Sequence, residues 1–419
     1  MTTDVNVPLL DLKAQYDTLR DEIEPVVREV IESQWFIMGP KVAGLEEDVA
    51  RYVGVQHAIG CASGTDAILL ALMALGVGPK DQVICPSYTF FATGGSIHRL
   101  GATPVFADID PVTYQMDVDH VRELAKSCTR LKAIMPVHLF GMAADMDAYV
   151  ELGRELGVPI VEDAAQAIGT RDATGAMVGS RGSIGCFSFF PSKNLGGFGD
   201  GGIITTNCPG LAEKMGILRV HGGKPKYYHR TVGLNSRLDA LQAAVLQVKL
   251  RHLEAWHEGR IANADFYDAA LAEHGARSSE VPVDAGGLPI RTPWRPAAPA
   301  RHIFNQYVVR VPASIRDEVR DDLKAANVGT EIYYPVPLHL QECFEDLGHA
   351  RGSLPHSERA ADETIALPIY PELTEAQRRH VVASLVASVK ARTDGAAGPP
   401  PTTSAPAAAT ATAAAAGAR

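Results

Sequence analysis

Hydrophobic and polar positions change rhythm three times along the chain. Apolar residues first recur at helical spacing over Leu12–Ser33 and again around 41–52, which predicts two amphipathic helices. From His57 onward, short apolar runs alternate with helical stretches: HAIGCAS before a helix through Leu75, QVICPS before a helix to Leu100, TPVFADI before a helix near 119–128. LKAIMPVH before a helix over 145–156, then PIVEDAA, CFSFF and GIITT, continue the series. This alternation predicts an α/β fold whose mainly parallel sheet is covered on both faces, because each parallel crossover needs a helix to return the chain. Residues 236–274 keep helical spacing throughout and read as a long spine between domains. Residues 277–301, rich in Pro, Gly and Arg, read as a loop. HIFNQYVVRV, a helix over 315–326, TEIYYP and a helix over 375–392 then predict a smaller α+β domain.

The expected organisation is an N-terminal arm over 1–55, a large domain over 56–235, a long interdomain helix over 236–275 and a small domain over 276–392. Residues 393–419 are Ala, Pro, Thr and Gly with almost no charge or large apolar side chain, so they lack the surface to order themselves and read as a disordered tail.

Composition narrows the function classes. With 419 residues and 46% hydrophobic content the chain can bury a full core. A net charge of −10 without a basic stripe argues against nucleic acid and anionic membranes as partners. The six cysteines form no C-x-x-C pair, which points away from a structural metal or a disulfide framework and suits a reducing cytoplasm. The first residues show neither a basic segment with an apolar core nor any run of 18 apolar residues, so no secretion or membrane span is expected.

The chemistry concentrates in CFSFFPSKNLGGFGDGG, which sets Lys193 between an aromatic strand and five glycines. A lysine beside buried aromatic residues is held partly neutral, and a neutral amine is a nucleophile for carbonyl carbon. The glycines allow a flat ligand to approach the backbone. GFGDGG also satisfies G-x-G-x-x-G, but the β-branched run IITT follows it where a dinucleotide site requires a helix, so the glycines read as a strand-to-strand turn. Four further segments fall at the carboxyl ends of predicted strands or at a helix start. CASGTD places Gly64 and Thr65 at a helix N-terminus, where free N–H groups suit a phosphate, although a plain Ser N-cap explains the same residues. VEDAAQ offers Asp163 as partner for a pyridine nitrogen and Gln166 near a phenolic oxygen; PSYTFFAT offers an aromatic stacking face. GLNSRL opens the long helix, where an amide can reach a phosphate in a neighbouring subunit. Lysine, ring-nitrogen acid, stacking ring and phosphate cradle together are what a pyridoxal phosphate enzyme requires.

SGTDA, PSYTFFAT, FADID, MPVHLFG, VEDAAQAIG, FSFFPSKNLGGFGDGG, GLNSRLDALQAA, FNQYVVR and TEIYYPVPLH, in this order, resemble the DegT-type sugar aminotransferases, fold-type I pyridoxal phosphate enzymes similar in architecture to aspartate aminotransferase. The likeness runs from about Val7 to Lys390. It implies a large, mainly parallel seven-stranded sheet domain and a smaller C-terminal α+β domain. It also implies Lys193 as Schiff-base lysine and proton shuttle, Asp163 at the pyridine nitrogen, Gln166 at the ring hydroxyl, Phe90 as stacking ring, and Gly64, Thr65 and Ser188 at the phosphate with Asn235 from the other protomer. Residues 225–230 and 333–339, with Tyr333, Tyr334 and His339 orienting the acceptor, are implied to face the sugar. The implied reaction moves an amino group from L-glutamate to a keto sugar, nucleotide-linked, in a homodimer with shared active sites. Members of this group that lack the lysine are dehydratases, so Lys193 favours transamination; a keto-cyclitol acceptor, a dehydratase-type reaction and a regulatory or sensory role remain the alternative readings.

Overall fold

The computed structural model describes residues 5–394. The tail expected over 393–419 lies outside these residues except at its start, where the last helix continues through Asp394.

The chain begins with helices α1 (Leu12–Ser33) and α2 (Pro40–Val53). The alternating segment then lays down β1 (His57–Cys61), α3 (Gly64–Ala74), β2 (Gln82–Pro86), α4 (Phe91–Arg99), β3 (Thr103–Ala107), α5 (Val118–Ser127), β4 (Leu131–Ile134), α6 (Met146–Leu156), β5 (Val161–Asp163), β6 (Ile184–Ser188) and β7 (Gly202–Thr206), followed by α7 (Pro209–Leu218). Hydrogen bonding orders the strands β3-β2-β4 and β5-β6-β7-β1, and parallel bridges Ile134 to Ile160 and Val137 to Asp163 join the two groups into one seven-stranded sheet. Only β7 runs antiparallel to its neighbours, because it returns from β6 through the loop 189–201 without a crossover helix. Side chains alternate across β6: Phe187 joins the core under α1, α2 and α8 (Ala240–Leu250), whereas Ile184 and Cys186 join the core under α3 and α7.

Two expectations are corrected and one is filled in. The residues of the N-terminal arm are built into both units: Leu19, Ile23, Val42 and Leu45 share the large-domain core with Leu246 of α8, and Val7 pairs with Val328 of the small domain. The long spine is two helices, α8 and α9 (Leu253–Glu273), separated by a turn at Arg251 and His252. The turn lets α8 lie on α1 and α2 while α9 lies on α12 (Glu375–Asp394), which one straight helix could not do. The loop over 277–301 carries two short strands, β8 (Arg277–Ser278) and β9 (Arg291–Thr292), which complete a sheet β11-β10-β9-β8 with β10 (Tyr307–Arg310) and β11 (Thr364–Leu367). Its arginine content has a structural use: Arg291, 1% exposed, donates to the carbonyls of Val281, Pro282, Val283, Leu288 and Ile290 and satisfies a loop that would otherwise bury them unpaired. Helices α10 (Arg316–Ala325) and α11 (Pro355–Glu363) cover this smaller unit. No helix among the described residues is long and apolar enough to cross a membrane.

The middle of the large sheet is pinned by a buried carboxylate. Glu162 of β5 accepts from the N–H groups of Gly179 (2.6 Å), Arg181 (2.9 Å) and Gly182 (2.6 Å), and from His138 Nε2 at 3.0 Å. His138 Nδ1 accepts from Ala144 N–H, so the ring proton sits on Nε2, facing Glu162. Replacing Glu162 by Ala strands these donors in the core, and urea unfolding of the variant is expected to show a loss of about 3–5 kcal/mol. A loss below about 1 kcal/mol would show that water replaces the carboxylate there.

Candidate active site

Lys193 stands in the loop between β6 and β7. A turn in which its N–H donates to the Phe190 carbonyl (2.8 Å) sets the direction of its side chain. The glycines that follow serve packing between protein segments, a use different from the ligand approach expected of them. A Cβ at Gly196 would sit 2.2 Å from the Pro191 carbonyl oxygen, and one at Gly202 2.5 Å from that of Ser63. Two residues of α8 hold the loop from below. Lys249 Nζ donates to the Gly196 carbonyl at 2.8 Å and lies 5.0 Å over the Phe198 ring, and Gln242 Oε1 accepts from Phe198 N–H at 2.7 Å. No described residue forms a hydrogen bond or ion pair with the Lys193 amine. Burial lowers its pKa to about 8, while the negative charge of Asp163 works in the opposite direction.

Asp163 closes β5, in register with Cys186 of β6. Its Oδ2 accepts from Thr93 Oγ1 at 2.8 Å and its Oδ1 from Ala165 N–H at 3.2 Å. Burial pushes the carboxyl up; the Thr93 and Ala165 hydrogen bonds, then the charge of Lys193, oppose it. Strand alternation sends Asp163 and Glu162 to opposite faces, so the two acids of VEDAAQ divide into one at the site and one in the scaffold.

The first turn of α3 begins at Gly64, with Ser63 as N-cap accepting from Asp66 N–H at 3.1 Å. Gly64 and Thr65 occupy the first two positions, where N–H groups have no intrahelical acceptor. A Cβ at Gly64 would lie 2.7 Å from Ser188 Cβ at the end of β6, so the missing side chain is what brings the helix N-terminus and the Ser188 hydroxyl together. The ring of Phe90, the residue before α4, is 60% exposed, as a face available for stacking must be.

Other expected residues have different settings. Gln166 is engaged within the protein: its Oε1 accepts from Phe140 N–H at 2.7 Å and its Nε2 donates to Tyr334 OH at 2.8 Å. Tyr334 is buried by the same contact and packs edge-on against Tyr88, whereas Tyr333 is half-exposed. His339 does not face open space. It is 2% exposed, with Nδ1 2.6 Å from Ser87 Oγ and Nε2 3.1 Å from Glu358, and burial lowers its pKa. It therefore ties the small domain to the end of β2. Asn235 is exposed but does not open a helix; it bridges Val220, and α8 begins only at Ala240. Residues 225–230 are exposed, including Tyr227 and Tyr228. Sequence reasoning missed Thr93, Asn194 and Asn305. Asn305 Nδ2 donates to Asn194 Oδ1 at 2.7 Å and so fastens the residue after Lys193 to the small domain.

The arrangement fits pyridoxal phosphate on its own geometry: a low-pKa amine without a protein partner, a buried carboxylate at an adjoining strand end, an uncovered aromatic face and a helix N-terminus sealed against a serine. Among the described residues, no group of three His, Cys, Asp or Glu is placed to hold a metal ion.

A buried amine whose pKa falls from 10.5 to about 8 disfavours the fold while it is charged. That penalty is complete below about 8 and is relieved as pH rises toward the ordinary lysine value, because over that window the unfolded chain binds the extra proton. Without cofactor, Lys193→Met is therefore expected to be more stable than the parent near pH 7, with the gap closing by about pH 10 in urea titrations. A variant no more stable than the parent near pH 7 would show that the amine is well solvated.

The sequence profile of the DegT/DnrJ/EryC1/StrS aminotransferase family matches residues 17–386. A Geobacillus stearothermophilus protein named pleiotropic regulatory protein is 48% identical over 378 residues, covering 90% of this chain and 97% of that one. UDP-N-acetyl-3-dehydro-alpha-D-glucosamine 3-aminotransferase of Acidithiobacillus ferrooxidans is 42% identical over 377 residues, covering 90% and 96%. The crystal structure of DesV from S. venezuelae superposes with a TM-score of 0.84 at 40% identity, covering 92% of this chain and 99% of that one. By a profile match across nearly its whole described length, and by relatives that share its fold and its sequence from end to end, this chain belongs to the DegT/DnrJ/EryC1/StrS aminotransferase family.

Proposed function

We propose that this pyridoxal phosphate-dependent aminotransferase moves an amino group from L-glutamate to a keto sugar carried on a nucleotide. The observation that carries the reading is the Lys193 amine, lowered to about 8 and lacking a protein partner, within the electrostatic reach of a buried Asp163. The relative at 42% identity is named for the same chemistry on a UDP-sugar.

Bound pyridoxal phosphate supplies an electron sink and a carrier for the amino group between two half-reactions. The N–H groups of Gly64 and Thr65 and the hydroxyl of Ser188 bind its phosphate, where the N-terminus of α3 favours an anion. Asp163 would hold the proton of the ring nitrogen, and Phe90 would cover one face of the ring. Lys193 Nζ, whose charged form burial disfavours, would take a proton from the carbon that bears the amino group and deliver it, within the same half-reaction, to the cofactor carbon bonded to that nitrogen; the second half-reaction would run the same transfer in reverse. Gln166, its amide oriented by Phe140 and Tyr334, would lie at the ring hydroxyl. Tyr333 and residues 225–230 face the sugar; Tyr334 and His339 hold that wall in place.

The functional unit is a homodimer in which Asn235 reaches the partner's phosphate. Exposed apolar side chains beside this region support it: Trp35 is 57% exposed, and Phe36 and Ile37 join the backbone of Ala240 and Asp239 close to Asn235 in the chain. The unpaired cysteines suit a cytoplasmic location. A regulatory role, which the name of the 48% relative raises, gives no reason for a low-pKa amine beside a buried acid; an enzyme does.

Reconstituted with pyridoxal phosphate, the protein is expected to show a visible absorption band that L-glutamate bleaches. Lys193→Ala should fold, bind the cofactor without that band and lose at least about a thousandfold in turnover, because nucleophile and base leave together. Near-normal single-turnover rates in the variant would overturn the assignment.

Subunit mixing tests the shared site. Asn235→Asp sets a carboxylate against the partner's phosphate, so neither it nor Lys193→Ala should turn over alone, whereas co-refolded mixtures should regain up to about a quarter of parental activity. A fully active monomer, or mixtures as inactive as their parts, would rule out the lent Asn235.

A further inference from the structure

The segment TFFAT places Phe90 between two buried hydroxyls, Thr89 and Thr93. One tight turn fixes all three, with Thr93 N–H donating to the Phe90 carbonyl at 3.2 Å. Thr89 Oγ1 lies 3.2 Å from Thr93 Oγ1, and Thr93 Oγ1 lies 2.8 Å from Asp163 Oδ2. An ionised carboxylate only accepts, and each hydroxyl has one hydrogen to give. The direction of the chain is therefore set: Thr89 donates to Thr93, and Thr93 donates to Asp163. We propose that Thr93 is a positioning residue of this site, whose hydroxyl, aligned by Thr89, fixes Oδ2 of Asp163 and keeps the carboxylate charged for the ring nitrogen.

The surroundings show why a hydroxyl is needed there. Asp163 is buried, 4% exposed, and burial alone drives a carboxyl toward its neutral form. Its charged and titratable neighbours come from several elements: Lys193 from the β6–β7 loop, His138 from the segment after β4, Cys85 of β2, Cys186 of β6 and Tyr334 of the small domain. Lys193 favours the charged carboxylate but is itself partly neutral, and His138, with Nδ1 accepting from Ala144 N–H and Nε2 donating to Glu162, has no positive charge to lend. The two thiols and the phenol are buried and pushed up, so they give the acid no positive charge. Thr93 is the strongest side-chain influence that favours the ionised form. The inference rests on Asp163 being the ring partner.

The test compares Thr93→Val, which keeps the shape and removes the donor, with Thr93→Ser, which keeps the donor. In full-length cofactor-free protein, a 13C-carboxyl NMR titration of Asp163 reads its ionisation directly. Equilibrium binding of pyridoxamine phosphate reads the consequence without a covalent bond to Lys193. Thr93→Val is expected to titrate Asp163 at higher pH than the parent and to weaken binding about tenfold, as loss of one hydrogen bond to a charged group would. The binding defect should shrink as pH rises, because the acid regains its charge; a merely structural defect would not depend on pH in this way. Thr93→Ser should restore both readouts. An Asp163 titration unchanged in Thr93→Val, or a binding defect that ignores pH, overturns the proposal. Undiminished binding by Asp163→Asn overturns instead the assignment of Asp163 as ring partner, whatever Thr93→Val shows in the titration.

Discussion

Holding one amine, in the loop after β6, and one carboxylate, at the end of β5, largely desolvated is the constraint around which this structure is built. Burial disfavours the charged form of each group, and they are not locked into a direct hydrogen bond that would offset the loss. The acid is stabilised by a threonine and a backbone N–H; the amine is left with no partner and so stays partly neutral. A lysine in this state is useful only if its loop is rigid, since a mobile loop would carry it into water and return its pKa to normal. Rigidity comes from glycines pressed against Pro191 and Ser63, from Lys249 under Gly196, and from Asn194 clasped by Asn305.

The two acids of β5 show how narrow the tolerance is. Glu162 and Asp163 are adjacent and both buried, yet one is saturated with donors in the scaffold and the other accepts only two, leaving capacity for a ligand. A shift of one residue in strand register would exchange their faces. The bonds from Glu162 to Gly179, Arg181 and Gly182 help to prevent such a shift and so protect the position of Asp163 from the opposite side of the sheet.

The small domain belongs to the site as a wall and as a set of struts. Tyr334 holds the amide of Gln166, His339 holds Ser87 at the end of β2, and Asn305 holds the loop of Lys193. Each contact joins residues more than 100 positions apart in the chain and ends within a few residues of a group assigned to the cofactor. Polar residues that look like substrate contacts in a motif become, once buried, the links that keep the two units in one arrangement.

Much of this was legible in the sequence because it depends on local periodicity and short-range chemistry. The alternation from His57 to Thr206 required a covered, mainly parallel sheet, and IITT after the glycines required a strand where a dinucleotide site needs a helix. Lys193 beside aromatic residues announced a perturbed amine. What the sequence could not decide was the partner of each polar group, since that depends on residues distant in the chain. Thr93 reads as an ordinary helix residue until Asp163, 70 positions later, is brought to its hydroxyl. His339 reads as an exposed ligand until Ser87 and Glu358 close on both ring nitrogens. The break between α8 and α9 is invisible in the sequence, because no Pro or Gly marks the turn at Arg251 and His252 and only the different surfaces the two helices cover require the chain to bend.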